Sequence, residues 1–122
     1  MNIQDYIAAY AEGWTVGDAE KILSVAAPDF IFDDPNAGQI TRDGLADHVS
    51  AFKEVAAELR GGQEGGNLME LSEVVIKDDE MPVSIWAWWV IPGTEIAGSA
   101  LIKVGEEGVV SERIAYYTAL PK

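Results

Sequence analysis

The stretch Ile85-Trp86-Ala87-Trp88-Trp89-Val90-Ile91 is apolar at odd and even positions alike. A strand with one wet face alternates apolar with polar residues, so a strand that does not alternate must be covered on both faces. Around it lie further runs rich in β-formers, and together the four predict strands over residues 68–77, 83–91, 95–104 and 109–118. Only Asp78-Asp79-Glu80, Pro92-Gly93 and Gly105-Glu106-Glu107-Gly108 separate them. Such short connections leave no room for a crossover, and consecutive runs are expected to pair antiparallel.

Upstream the texture is helical. Ile3, Tyr6, Ile7, Tyr10, Ala11 and Trp14 share one face of a first helix, with Asn2 as its cap. Gly17 interrupts the pattern, and Asp18 caps a second, shorter helix carrying Ile22, Leu23 and Ala26, which Pro28 is expected to stop. Phe30 to Asp34 reads as a short strand ended by Pro35, with Phe30, Phe32 and Asp34 on one face. After the turn Asn36-Ala37-Gly38, a third helix is expected from Asp43 to Leu59, with Leu45, His48, Val49, Phe52, Val55, Ala56 and Leu59 in register. Helices first and hairpin-linked strands afterwards predict an α+β domain, its helices on one face of a curved antiparallel sheet. No repeat or linker divides the 122 residues, so one domain is expected over 1–122.

Twenty-one acidic residues against eight basic ones give a net charge of -13, which repels phosphate backbones and anionic lipid heads. Nucleic acid and membrane surfaces are not expected partners. With no cysteine and one histidine, neither a disulfide nor the usual zinc ligand sets are available, and no metal or cofactor is expected. The glycine-rich segment Arg60 to Gly66 lacks the lysine that ends a phosphate-binding loop, and the acidic turns lack calcium-loop spacing. The start, Met1 to Asp5, has no basic region before an apolar one, and no apolar run approaches bilayer length. A cytoplasmic protein is expected.

Helices cover only one face of the sheet, which leaves Trp86 and Trp88 of the all-apolar strand on the other. A second copy of the chain is the expected cover, making a homodimer through the outer sheet face.

Several side chains could carry chemistry. Alternation with Phe30 and Phe32 turns Asp34 inward, where desolvation raises a carboxyl and makes it a usable base; the other reading is an Asp-Pro turn accepting backbone amides. Tyr6, Tyr10 and Trp14 line one helical face, and a buried phenol needs a partner or a ligand oxygen. His48 reads either as a proton shuttle or as a satisfied core residue. Arg113 shares a face with Ala115 and Tyr117 and, if that face is inward, must find an acid.

Tyr10-Ala-Glu-Gly-Trp-Thr-Val-Gly17-Asp18, then Pro28-Asp29-Phe30-Ile31-Phe32-Asp33-Asp34-Pro35, then the four terminal strands resemble the nuclear transport factor 2-like superfamily, in its ketosteroid isomerase-like and SnoaL-like flavours. The resemblance spans nearly the whole chain. It implies a conical α+β barrel, three N-terminal helices packed in a strongly curved, mainly antiparallel sheet around a deep cavity. It also implies that Tyr10 donates to a dienolate oxygen and that Asp34 shuttles the proton. The second oxyanion acid of those isomerases falls, counted back from Tyr116-Tyr117, on Ala100. Ile85, Ala87 and Trp89 turn towards the cavity under the same resemblance. An epoxide hydrolase-type relay would need Asp-Arg-Asp, for which only Asp34 and Arg113 present themselves.

Two functions are expected in competition. In the first, the chain is a small-molecule-binding domain doing isomerase- or lyase-type acid–base chemistry on a small hydrophobic carbonyl compound. Asp34 and Tyr10 are then catalytic, and Tyr6, Trp14, His48, Phe52, Trp89, Ala100, Arg113 and Tyr117 bind substrate. In the second, it is a non-catalytic dimeric ligand-binding protein in which Arg113 pairs with Asp34 and keeps it ionised. A partner-binding adaptor is a third reading, supported by the shared fold alone.

Overall fold

The computed structural model describes residues 2–62 and 66–117. Positions 63–65 of the glycine-rich loop and Thr118 of the last expected strand lie outside the described residues.

Helix α1 (Ile3–Val16) begins at a reciprocal cap: the Asp5 amide donates to the Asn2 side chain, and the Asn2 amide donates to the Asp5 carboxylate. It ends at Gly17, whose φ of 74° is the left-handed conformation that favours glycine. The Asp18 side chain then caps α2 (Ala19–Ser24). Pro28 does not stop this helix. The chain has already turned at Val25 into strand β1 (Ala26–Asp34), which takes in Pro28. The pairing of β1 slips between Ala26 and Ile31, and a proline without an N–H is tolerated in such an irregularity.

Strand β2 (Gly38–Thr41) returns antiparallel on β1, and α3 (Arg42–Leu59) follows directly. Sequence reading placed only a turn before α3, because a strand of four residues with one large apolar side chain, Ile40, has too little alternation to be seen. Strands β3 (Glu70–Lys77), β4 (Val83–Val90), β5 (Ala97–Gly105) and β6 (Gly108–Tyr116) form the expected antiparallel meander.

The six strands lie in the order β2-β1-β6-β5-β4-β3, with β6 parallel to β1. The edge strands β2 and β3 do not pair with each other, so the strongly curved sheet expected from the resemblance is present and unclosed. That architecture is mixed α+β, three helices against one mainly antiparallel sheet.

The register sorts the faces. Ile85, Ala87 and Trp89 are buried on the helix side, opposite Ile102, Ala100 and Gly98 of β5. Trp86 is 39% exposed on the outer side and Trp88 half-buried. Between them α1 and α3 seal most of the inner face, packing Tyr10, Trp14, Leu45 and Val49 against Phe30 and Phe32. Edge strand β3 is exposed along its whole length. Among the described residues, no helix is long and apolar enough to cross a membrane.

Candidate functional site

Between α1 and the inner face of β3 to β6 lies a cavity of about 250 Å³. Ile7, Tyr10, Ala11 and Trp14 line it from α1, while Ile85, Ala87, Trp89, Ala100 and Ile102 line it from the sheet. Leu71 and Val74 of the exposed edge strand also border it, which puts its mouth beside β3. Among the described residues, Glu112 is the only carboxyl in this lining. It is 7% exposed and accepts a short hydrogen bond from the Tyr10 hydroxyl.

The strand pattern explains why an acid points inward here. Glu112 alternates with Ile114 and Tyr116 on β6, and Ile114 is the large apolar residue that must face the core. Burial pushes the Glu112 carboxyl up to about 7, a rise that the hydrogen bond from Tyr10 partly offsets. Burial, then the Glu112 charge and the hydrogen bond to it, push the Tyr10 phenol well above its ordinary value. A nearby donor, the Trp14 indole, opposes this. Near neutrality Glu112 is therefore divided between its protonated and ionised forms, in a cavity whose other described lining side chains carry no charge.

Asp34 belongs to a second polar cluster. It is 2% exposed, and both oxygens are engaged: Oδ1 accepts from the Asn36 amide at 2.8 Å and Oδ2 from the Tyr116 hydroxyl at 2.9 Å. His48 Nε2 stands 3.4 Å from Oδ2 without hydrogen-bond geometry. Burial lowers the His48 imidazole despite the neighbouring carboxylate, so it is neutral at pH 7. The same two influences act together on Tyr116, where burial and then the Asp34 charge raise the phenol. A stack of rings, Trp14 on Phe32 at 5.1 Å and Phe32 beside His48 at 5.1 Å, separates the two clusters. Asp34 does not line the cavity.

No protein-family model matches the chain, and no curated protein matches its sequence. Solved structures do match. A nuclear transport factor 2-like protein of unknown function from Cytophaga hutchinsonii superposes with a TM-score of 0.65 at 10% identity, over 95% of this chain and 90% of its own. A SnoaL-like protein of unknown function from Burkholderia thailandensis gives 0.65 at 14%, over 94% of both chains. A putative polyketide cyclase from Xanthomonas campestris gives 0.61 at 17%, over 95% of this chain and 89% of its own. The chain has the nuclear transport factor 2-like fold.

Within that fold the residues singled out from sequence separate into three groups. Tyr10, Trp14, Trp89 and Ala100 meet at the cavity. Phe52 lies behind Trp14, edge-on at 6.1 Å, and His48 stands edge-on to Phe52 on the Asp34 side. Tyr6, Arg113 and Tyr117 lie elsewhere. The Tyr6 hydroxyl donates to the Glu106 carbonyl at 3.3 Å. Arg113 is turned to the outer face, where its Nε is 3.3 Å from Asp33, so it does not pair with Asp34. Tyr117 is 59% exposed. On β6 the inward face carries Glu112 and Ile114, while Arg113 and Ala115 face out, so alternation that leaves both faces open does not single out Glu112. Among the described residues, no group of three or more His, Asp or Glu side chains is placed to hold a metal ion.

Proposed function

We propose that this protein takes a small, mostly apolar carbonyl compound into the α1–sheet cavity and moves a proton on its α-carbon, with Glu112 as the base. The observation that carries the reading is the single carboxyl of an apolar cavity, raised by burial to about 7. A base poised there is partly ionised at working pH and still basic enough to accept a carbon-bound proton. In the step proposed, the Tyr10 hydroxyl turns from Glu112 to the ligand's carbonyl oxygen. The freed carboxylate takes the α-proton, and the C–H electron pair moves into the enolate, whose oxygen accepts from Tyr10. Return of the proton from Glu112 to another carbon of the enolate would complete an isomerisation. Asp34 acts in this reading as a positioning residue, holding Tyr116 at the end of β6.

Deuterium exchange at the α-carbon of enolisable ketones, followed by NMR in D₂O, tests it. Wild type is expected to accelerate exchange and Glu112→Gln to lose at least a hundredfold of that acceleration. Equal acceleration by both proteins would overturn the assignment. The Tyr10–Glu112 pair also satisfies itself without a ligand, which favours a ligand-holding protein without chemistry as the second reading. Binding without exchange by wild type would select it.

We also propose a homodimer through the outer sheet face. Exposed Trp86 stands between Val75 of β3 and Leu101 of β5, making an apolar row across three strands that a second copy would cover.

A further inference from the structure

Trp14 on α1 and Trp89 on β4 both line the cavity, at 5% and 3% exposure. Among the described residues, neither buried indole N–H makes a hydrogen bond of normal geometry. An indole nitrogen can only donate, and a buried donor without an acceptor is unfavourable enough that native cores rarely keep one. Two in the lining of one cavity therefore need a common explanation. The Trp14 indole is near enough to the Tyr10 hydroxyl to oppose the rise in the phenol. Trp14, Trp89 and Glu112 also enclose, with Phe52 and Ile114, a narrow void of about 10 Å³. That is room for about one water-sized polar group.

We infer that the Trp14 and Trp89 indole N–H groups form an acceptor site that selects ligands carrying one uncharged carbonyl oxygen on an otherwise apolar body. The inference rests on the ligand-binding half of the reading above and names the class of ligand. A hydrocarbon of the same shape fills the cavity but leaves both donors unmet. A carboxylate ligand offers acceptors, yet its charge would lie beside Glu112 whenever that carboxyl is ionised, in a cavity where no described lining residue is a cation. A ketone or ester oxygen meets the donors without that repulsion, and Tyr10 completes its coordination once released from Glu112.

The test uses the full chain labelled with ¹⁵N at tryptophan and three probes of similar shape: 2-tetralone, tetralin and tetralin-2-carboxylate. The indole signals are assigned through Trp→Phe variants, and outward Trp86 and Trp88 serve as internal controls. The Trp14 and Trp89 N–H protons are expected to move downfield with 2-tetralone and not with tetralin, with 2-tetralone binding at least about tenfold more tightly than either analogue. Equal indole responses to 2-tetralone and tetralin, responses confined to Trp86 and Trp88, or no response up to the solubility of 2-tetralone would each overturn the inference. An intact response in wild type without exchange would remove the chemistry and leave the acceptor site standing.

Discussion

At the residue scale, Glu112 is the group on which the chemistry depends, and its energetics give it a signature apart from activity. Burial raises its carboxyl from 4.5 to about 7, so the folded state favours the protonated form. That stabilisation is complete below the unfolded value and is lost as the pH rises through the folded one. Relative to Glu112→Gln, wild type should therefore lose stability between pH 4.5 and 8, by about 3 kcal/mol for a shift of this size. Urea unfolding of both proteins at the two pH values measures it; a constant difference would mean that the carboxyl is not held protonated by the fold. His48 acts in the opposite sense, since its lowered imidazole removes stability as the pH falls below about 6.5. It is present in both proteins and cancels from the comparison. In the exchange assay the same ionisation should make the rate rise with pH and level off above about 7.

At the scale of elements, β6 matters most. It lies parallel to β1 and antiparallel to β5, and it alone joins the N-terminal hairpin β1–β2 to the meander. The Asp34 cluster sits where β1 ends and ties that end to β6 through the Tyr116 hydroxyl. Asp34→Ala leaves the Tyr116 hydroxyl and the Asn36 amide without their acceptor, and should destabilise the fold by about 2–3 kcal/mol. Tyr116→Phe, which removes only one donor, should cost less, about 1 kcal/mol. Denaturant midpoints for the two variants check the order; a larger loss in Tyr116→Phe than in Asp34→Ala would contradict the latch. This element also shows where sequence reading stops. Alternation along β6 offers two faces, one with Arg113 and Tyr117 and the other with Glu112 and Tyr116. Ile114, larger than Ala115, is the local signal that decides between them, while the parallel pairing with β1 has no local signal at all.

At the scale of the whole molecule, the open sheet leaves two apolar features unburied, the outer row through Val75, Trp86 and Leu101 and the exposed edge strand β3. If a second copy covers the outer row, wild type should sediment as a dimer at micromolar concentration, and Trp86→Lys as a monomer with its secondary structure unchanged. A monomeric wild type would remove that proposal. Read alone, the sequence determined the order of the three helices and of five of the six strands, the antiparallel meander, the burial of Asp34 beside Phe30 and Phe32, and the separation of Trp86 and Trp88 from Ile85, Ala87 and Trp89. Each of these follows from periodicity or from a short connection, which neighbouring residues settle among themselves. Only the tertiary structure decided that β6 lies beside β1, that the curved sheet stays open, that Arg113 meets Asp33 outside, and that Glu112 meets Tyr10 inside the cavity. Those pairings join residues far apart in the chain, and such partners are chosen by how the curved, open sheet packs against α1, which no local pattern records.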